Sequence, residues 1–356
     1  MSDNSTIIIT GGAGFIGSHT CVELANHFEL VVIDNLYNSS QASIHKVEEL
    51  TNQRITFYQE DLLNIDNIEP IFEKHNPEAV IHFAGLKAVG ESVQKPLLYY
   101  ENNLNSTLNL LKIMKKYQCF NLIFSSSATV YGNQPSPLKE TMAIGHGVTN
   151  PYGQTKFMIE RILKDMCVSS PQWKIISLRY FNPIGAHSSG LIGENPNDIP
   201  NNLMPFILKV GVNNNTNVHL GDQFNQLKIF GNDYSTKDGT CERDFIHVVD
   251  LAKGHLAALQ KINKLSGYHV FNLGTGRGSS VFEVVKAYET ISQREIKMEI
   301  EARRFGDVAE LYADPSKAKT VLNWQTTLGL EEMIRDSWNW QSKNPDGYEK
   351  DDISMQ

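Results

Sequence analysis

Tyr152 and Lys156 put a phenol and an amine four residues apart in the segment NPYGQTK. On a helix that spacing places both on one face, one turn apart. The Asn-Pro pair directly before them is a turn signal where a helix can begin. A phenol ionises at a pH of about 10, too high for a base at neutral pH, and a neighbouring ammonium favours the phenolate. The pair therefore suits proton transfer to and from a hydroxyl. The same spacing also fits an ordinary surface helix, so the rest of the chain has to decide.

Two further motifs bear on that choice. The run TIIIT ends at Thr10, and Gly11, Gly14 and Gly17 follow at G-x-x-G-x-x-G spacing, with SHTCVELANHF directly after. Strand, glycine turn and helix in that order let backbone N–H groups and a helix N-terminus approach a dinucleotide pyrophosphate. The next β-rich run, LVVID, ends in Asp34, 17 residues past Gly17. A carboxylate there accepts hydrogen bonds from ribose hydroxyls and repels a 2′-phosphate, which favours NAD over NADP. The run NLIFSS ends in Ser125 and Ser126, with Ser127 next, 25 residues before Tyr152. In parallel α/β sheets ligands bind beyond the carboxyl ends of strands. A second glycine cluster, FNLGTGRGSSVFEVV, lacks the acidic strand end and reads as a turn with Ser279 or Ser280 capping a helix.

These residues need a scaffold, and the first half of the chain supplies one. TIIIT, LVVID, ITFYQ, AVIHFA, NLIFSS and KIISLRYF read as buried strands, each followed by a candidate helix. NSTLNLLKIMKKY is one such helix, with Leu108, Leu111, Ile113 and Met114 near helical spacing. Strand–helix alternation predicts a Rossmann-type doubly wound parallel sheet covered on both faces. Residues 1–180 form this domain in our reading, and roughly 240–265 return to it. After 181 the pattern breaks at NPIGAHSSGLIGENPNDIPNN, so 181–345 are assigned to a smaller mixed α/β substrate domain. The polar 346–356 read as a loose tail.

Composition narrows the class further. Of 356 residues, 41% are hydrophobic and 20% charged, as in ordinary globular proteins. A formal net charge of −8 without a basic cluster argues against nucleic-acid or anionic-membrane partners. An anionic ligand would then need locally placed arginines. Cys21, Cys119, Cys167 and Cys241 are scattered, with no metal-ligand spacing, so neither a disulfide framework nor a metal is expected. The N-terminal MSDNST has no signal-peptide features, and no apolar run reaches the roughly 18 residues of a membrane span. A cytoplasmic protein is expected.

GxxGxxG, the strand-end serine and YxxxK together resemble the extended short-chain dehydrogenase/reductases, and within them the epimerases that act on UDP-hexoses. DNLYNS, HFAGLKAVGES, SSSATVYG, LRYFNPIGAH, NNLMPFI, IFGNDYSTKDGTCERDFIHV and RRFGD follow family order over nearly the whole chain. The resemblance implies NAD-dependent epimerisation at carbon 4 of UDP-galactose and UDP-glucose through a 4-keto sugar. Tyr152, Lys156 and Ser127 would act on the sugar hydroxyl. Gly11, Gly14, Phe15, Ile16 and Gly17 would form the pyrophosphate loop. Asp34, Asn35, Asn38 and Ser39 would flank the adenosine ribose, with Asp61 and Leu62 near adenine. Phe83, Ala84, Gly85 and Lys87 would line the cofactor, completed by Asn102 and Phe181. Asn182, Asn202, Leu203, Phe230, Arg243, Arg304 and Asp307 would hold the nucleotide sugar. Family members are often dimers, which implies a homodimer.

Other readings of the scaffold remain. A nucleotide-sugar dehydratase needs an acid–base pair just before V-Y-G, where this chain has Ala128 and Thr129. A non-catalytic NAD-binding regulator would be expected to lose Tyr152, Lys156 or the serine. Leu311 falls where the resemblance implies a wall of the sugar pocket, usually tyrosine in enzymes restricted to plain hexoses. Leucine there implies room for N-acetylated UDP-sugars at weaker turnover.

Overall fold

The structure, a computed structural model, describes residues 5–197, 200, 202–215, 220–304 and 306–348. It opens with strand β1 (Thr6–Thr10), helix α1 (Phe15–Leu24), β2 (Glu29–Asp34), α2 (Ala42–Thr51), β3 (Thr56–Gln59), α3 (Ile65–His75) and β4 (Ala79–His82). Helices α4 (Val89–Gln94) and α5 (Pro96–Lys116) follow, then β5 (Asn121–Ser127), α6 (Pro151–Ser169) and β6 (Lys174–Tyr180). The strands are rich in Ile and Val, whose branched side chains suit a surface buried on both sides. Alternation along each strand sends neighbours to opposite faces. Ile7 and Ile9 pack with α1 and α2 residues such as Cys21, Leu24 and Val47. Ile8 packs on the other side with Phe72 of α3, Leu110 of α5 and Leu163 of α6.

The remaining elements are β7 (Asn182–Ile184), α7 (Leu203–Asn215), β8 (Leu227–Phe230), β9 (Glu242–Arg243), β10 (Phe245–His247), α8 (Val248–Ile262) and β11 (Gly267–Leu273). The chain ends in β12 (Ser279–Ser280), α9 (Val281–Ser292), β13 (Met298–Glu301), β14 (Glu310–Leu311) and α10 (Leu330–Lys343). The main sheet has seven strands in the order β11-β6-β5-β4-β1-β2-β3, all parallel. Its strand order reverses between β1 and β4, which opens a crevice at the carboxyl ends of those strands.

The later chain builds a separate core from Ile184, Ile207, Phe245, Val284, Tyr288 and Ile334. Small pairings accompany it: β8 with β13, β10 with β7, and β12-β9-β14. Helix α8 packs with Leu251, Ala258 and Ile262 into the first core. Strand β11, beyond the 240–265 stretch, joins the main sheet beside β6. The second glycine cluster is a turn: Ser280 caps α9, with Glu283 closing a capping box.

Two local expectations differ. Leu108 is 36% exposed although its neighbours Leu110 and Leu111 are buried, because the long helix α5 turns it off the core face. The stretch from 346 is not loose throughout. Tyr348 packs tilted against Trp340, with 4.7 Å between ring centres, and its hydroxyl bonds to Gly193. That aromatic contact anchors the segment, and residues 349–356 lie outside those described.

Candidate active site

The glycine turn joins β1 to α1 and faces the crevice. Gly11 has φ +71°, and a Cβ there would stand 2.6 Å from Ala84 N. A Cβ on Gly17 would strike Gly11 O at 2.4 Å, so helix and turn touch backbone to backbone. At Gly14 the nearest atom to an added Cβ is Gly11 O, at 3.3 Å, and no other lies within 4 Å. Gly14 caps α1 without a side-chain bond, and the first turn, beginning at Phe15 and Ile16, has no acidic residue. An anion meets backbone N–H groups there unopposed by side-chain charge. This cradle fits a dinucleotide pyrophosphate.

Asp34 ends β2 beside that turn. Its Oδ2 accepts from Ala13 N at 3.0 Å, and its Oδ1 accepts from Leu36 N and Ser39 Oγ, each at 2.9 Å. Burial pushes this carboxyl above its ordinary value, and the Leu36, Ser39 and Ala13 bonds oppose that. Asn35 Nδ2 donates to Asp61 Oδ2 at 3.0 Å, which ties the ends of β2 and β3 together. Leu62 behind Asp61 is buried. Asn38 Oδ1 accepts from Asn197 N at 2.9 Å, so the loop after Gly190 reaches the ribose side of the crevice.

Past β4, the amides of Phe83 and Ala84 donate to Thr10 O at 2.9 and 3.1 Å. Lys87 pairs with Glu194 at 3.2 Å. Asn102 donates to Asn103 Oδ1 at 3.0 Å, and Asn103 is the residue that the sequence reading missed. Asn103 is buried, accepts from Leu86 N at 2.8 Å, and donates to Leu86 O at 3.0 Å and Thr155 Oγ1 at 3.1 Å. Thr155 Oγ1 in turn donates to Tyr152 O at 2.7 Å. One amide thus joins the Gly85–Lys87 loop to helix α6. Its only signal in sequence was a second amide inside an amphipathic helix.

Helix α6 begins where Asn-Pro predicts. Asn150 Oδ1 accepts from Gly153 N at 2.8 Å, and Pro151 occupies the first turn. Tyr152 is half-buried, and Lys156 is buried one turn on. Lys156 Nζ donates to Ser125 O at 2.6 Å and lies 4.8 Å from the centre of the Phe124 ring. Ser127 closes β5 and accepts from Thr129 N at 3.2 Å and Thr129 Oγ1 at 3.0 Å. Phe181 is buried between β6 and β7.

Within the protein itself, burial dominates the ionisation of both groups. Burial pushes Tyr152 above its ordinary value, and a hydrogen bond with Ser127 only opposes it. Burial also pushes the Lys156 ammonium down to about 7, against the Glu160 carboxylate. Desolvation penalises the charged form of each group.

The second region groups several of its candidates locally. Arg243 Nη1 donates to Val308 O at 2.8 Å, and its Nη2 lies 3.6 Å from Asp307 Oδ1. Arg304 Nε donates to Asp307 Oδ2 at 2.9 Å, and its guanidinium stacks 4.6 Å from the centre of the Phe230 ring. Asp307 therefore presets both cations. Asn182 N donates to Asp244 O at 2.9 Å; Asn202 is exposed just before α7, and Leu203 opens that helix. Leu311, paired in register with Arg243, packs against the buried cluster that includes Tyr131, Leu138, Phe181 and Ala313. Among the described residues no group of His, Cys, Asp or Glu is arranged to hold a metal, and no helix is long and apolar enough to cross a membrane.

Comparison with known proteins adds four results. The model of the NAD dependent epimerase/dehydratase family matches residues 7–274. A curated UDP-glucose 4-epimerase of Bacillus subtilis is 54% identical over 344 residues, 96% of this chain and 98% of that one. A crystal structure of UDP-glucose 4-epimerase from Bifidobacterium longum in complex with NAD+ and UDP superposes with a TM-score of 0.91, 48% identity, and coverage of 97% and 100%. Another, from Stenotrophomonas maltophila with bound NAD and formylated UDP-arabinopyranose, gives 0.90, 40% identity, and coverage of 96% and 99%.

Proposed function

The chain belongs to the NAD dependent epimerase/dehydratase family, and from that premise we propose that it interconverts UDP-galactose and UDP-glucose by NAD-dependent epimerisation at carbon 4. The observation that carries this reading is the meeting of Ser127, Tyr152 and Lys156 at the end of β5, beside the glycine cradle.

Tyr152 takes the proton of the sugar 4-hydroxyl and later returns it to the 4-keto sugar. Ser127, with its oxygen already oriented by Thr129, holds that hydroxyl. NAD, when bound, would supply the hydride acceptor and donor for carbon 4, and its cationic nicotinamide ring would add a second positive charge to that of Lys156. The residues named above in the Gly11–Gly17 turn, around Asp34 and along Phe83–Lys87 would hold that cofactor. Arg243 and Arg304 grip the diphosphate; a guanidinium offers paired donors for such oxygens. Asn182, Asn202, Leu203 and Phe230 complete the nucleotide-sugar side.

A dehydratase reading lacks its acid–base pair. Ala128 has no polar atom to offer and is buried, and Thr129 Oγ1 is spent on Ser127. Leucine at 311 is smaller than tyrosine, and we propose that the difference admits UDP-N-acetylglucosamine with weaker turnover. A homodimer is supported by apolar side chains in the open on helices that pack together: Val93 on α4, Leu97 on α5 and Met158 on α6. Light scattering on the purified protein tests it. Four free cysteines support a reducing, cytoplasmic setting.

The direct test denatures purified protein, identifies any released nucleotide, and assays the native enzyme on UDP-galactose with no cofactor added. Released NAD and conversion to UDP-glucose are expected. Neither nucleotide nor conversion, even after NAD is supplied, would sink the reading.

A further inference from the structure

Helix α6 carries Tyr152, Lys156 and Glu160 at intervals of four, so the three stand in one column. Glu160 is buried, and its carboxylate is fully engaged. Ser126 Oγ donates to its Oε1 at 2.5 Å, Arg179 Nε donates to Oε1 at 2.9 Å, and Arg179 Nη2 donates to Oε2 at 2.6 Å. Ser126 adjoins Ser125, whose carbonyl accepts from Lys156. Consecutive residues of β5 therefore hold consecutive turns of α6.

A buried ion pair is weak support for stability, since apolar residues of similar volume often do as well. Its place beside Lys156 gives it another use. The groups around Lys156 are Tyr152 and Glu160 on its own helix, Phe124 on β5, His82 on β4 and, beyond Glu160, Arg179 on β6. His82 is held neutral by burial, pushed down to about 3. Tyr131, raised to about 12 by burial, and Tyr268 of β11 close the far side as neutral groups. Glu160 is the one carboxylate among these described groups.

We propose that Glu160 is a positioning residue for the proton transfer: its carboxylate keeps the Lys156 side chain an ammonium and in register with β5, while Ser126 and Arg179 hold the carboxylate in place. The inference rests on the reading of Lys156 as the cation acting beside Tyr152. Burial alone already weakens that ammonium, and Glu160 is the group that opposes it. Without the negative charge Lys156 loses its proton at lower pH.

The test is the pH profile of kcat/KM on UDP-galactose for holoenzyme carrying Glu160→Gln or Glu160→Asp. The Gln variant should move the alkaline limb to lower pH by ~1 unit, a tenfold change in proton affinity. The Asp variant should leave the limb near that of the unmodified enzyme. An equal loss at every pH, with the limb unmoved, would reduce Glu160 to support of the fold and overturn the proposal. The double variant Glu160→Met/Arg179→Met leaves no orphaned buried charge and serves if the Gln variant does not fold; its limb must shift in the same direction. A 13C NMR titration of Lys156, assigned by its loss in Lys156→Arg, reads the same shift without turnover. Unmodified enzyme that turns over no UDP-hexose would count against the functional reading alone, and the titration would then decide on Glu160.

Discussion

The Lys156 ammonium lies 5.9 Å from the centre of the Tyr152 ring, one helical turn away, and its hydrogen bond goes to the Ser125 carbonyl. The lysine is thus pinned to the sheet and faces the phenol as a charge. Its effect on Tyr152 is electrostatic and operates in a desolvated site, where a further nearby cation has most influence.

Tyr152→Phe keeps the ring and removes the hydroxyl. Epimerisation should fall ~10²-fold or more, since acid–base groups supply about 10²–10⁴. Fold and NAD content should persist, because the ring still fills its place. Near-normal turnover by this variant would remove Tyr152 from the mechanism.

Asp34 has a structural task besides the ribose contact proposed for it: it accepts from Ala13, Leu36 and Ser39. Apo-enzyme should be reactivated by NAD far better than by NADP, and Asp34→Ala should narrow that gap. The variant should also lose about 1–3 kcal/mol of stability, because the buried Ala13 N–H is orphaned. Equal reactivation of the unmodified enzyme by both cofactors contradicts the assignment.

Leu311→Tyr should suppress turnover of UDP-N-acetylglucosamine and spare UDP-galactose. The larger ring overfills the space beside Phe181 and Tyr131, where an N-acetyl group would go. Assaying both enzymes on both sugars decides it, and an unmodified enzyme with no N-acetyl turnover refutes the usable space.

Stability should fall as the solution is acidified below about pH 6.5, the ordinary value of a histidine. Burial pushes His19 and His82 down to about 3 and His255 to about 4. The unfolded chain protonates all three first, so it binds more protons than the native state between about 6.5 and those values. Their contribution is complete above that window and is lost progressively through it. Thr107 spends its proton on Asn103 O, so His82 Nε2–H donates to Thr107 while Nδ1 accepts from Thr10 at 2.7 Å. His82→Gln, which cannot titrate, should flatten the slope of unfolding free energy against pH. An unchanged slope would show that His82 does not carry the proton.

The parts of this protein legible in sequence are those set by neighbours along the chain. The glycine turn, the strands β1 to β6, the Asn150–Pro151 start of α6 and the Ser280 cap each follow from local periodicity and turn chemistry. The spacing of Tyr152 and Lys156 is likewise local, and it predicted their shared face. What only the tertiary structure decided is long-range. β11 pairs with β6 across some 90 residues. Asn103 joins the loop after β4 to helix α6, Asp307 presets two arginines, and Glu160 on α6 meets Arg179 on β6. The charge state of the site is decided there too. Four residues of spacing placed a cation near a phenol, but burial by strands and helices from distant parts of the chain fixed how strongly water is excluded. That desolvation, invisible in any local pattern, pushes Tyr152 up and Lys156 down within the protein itself.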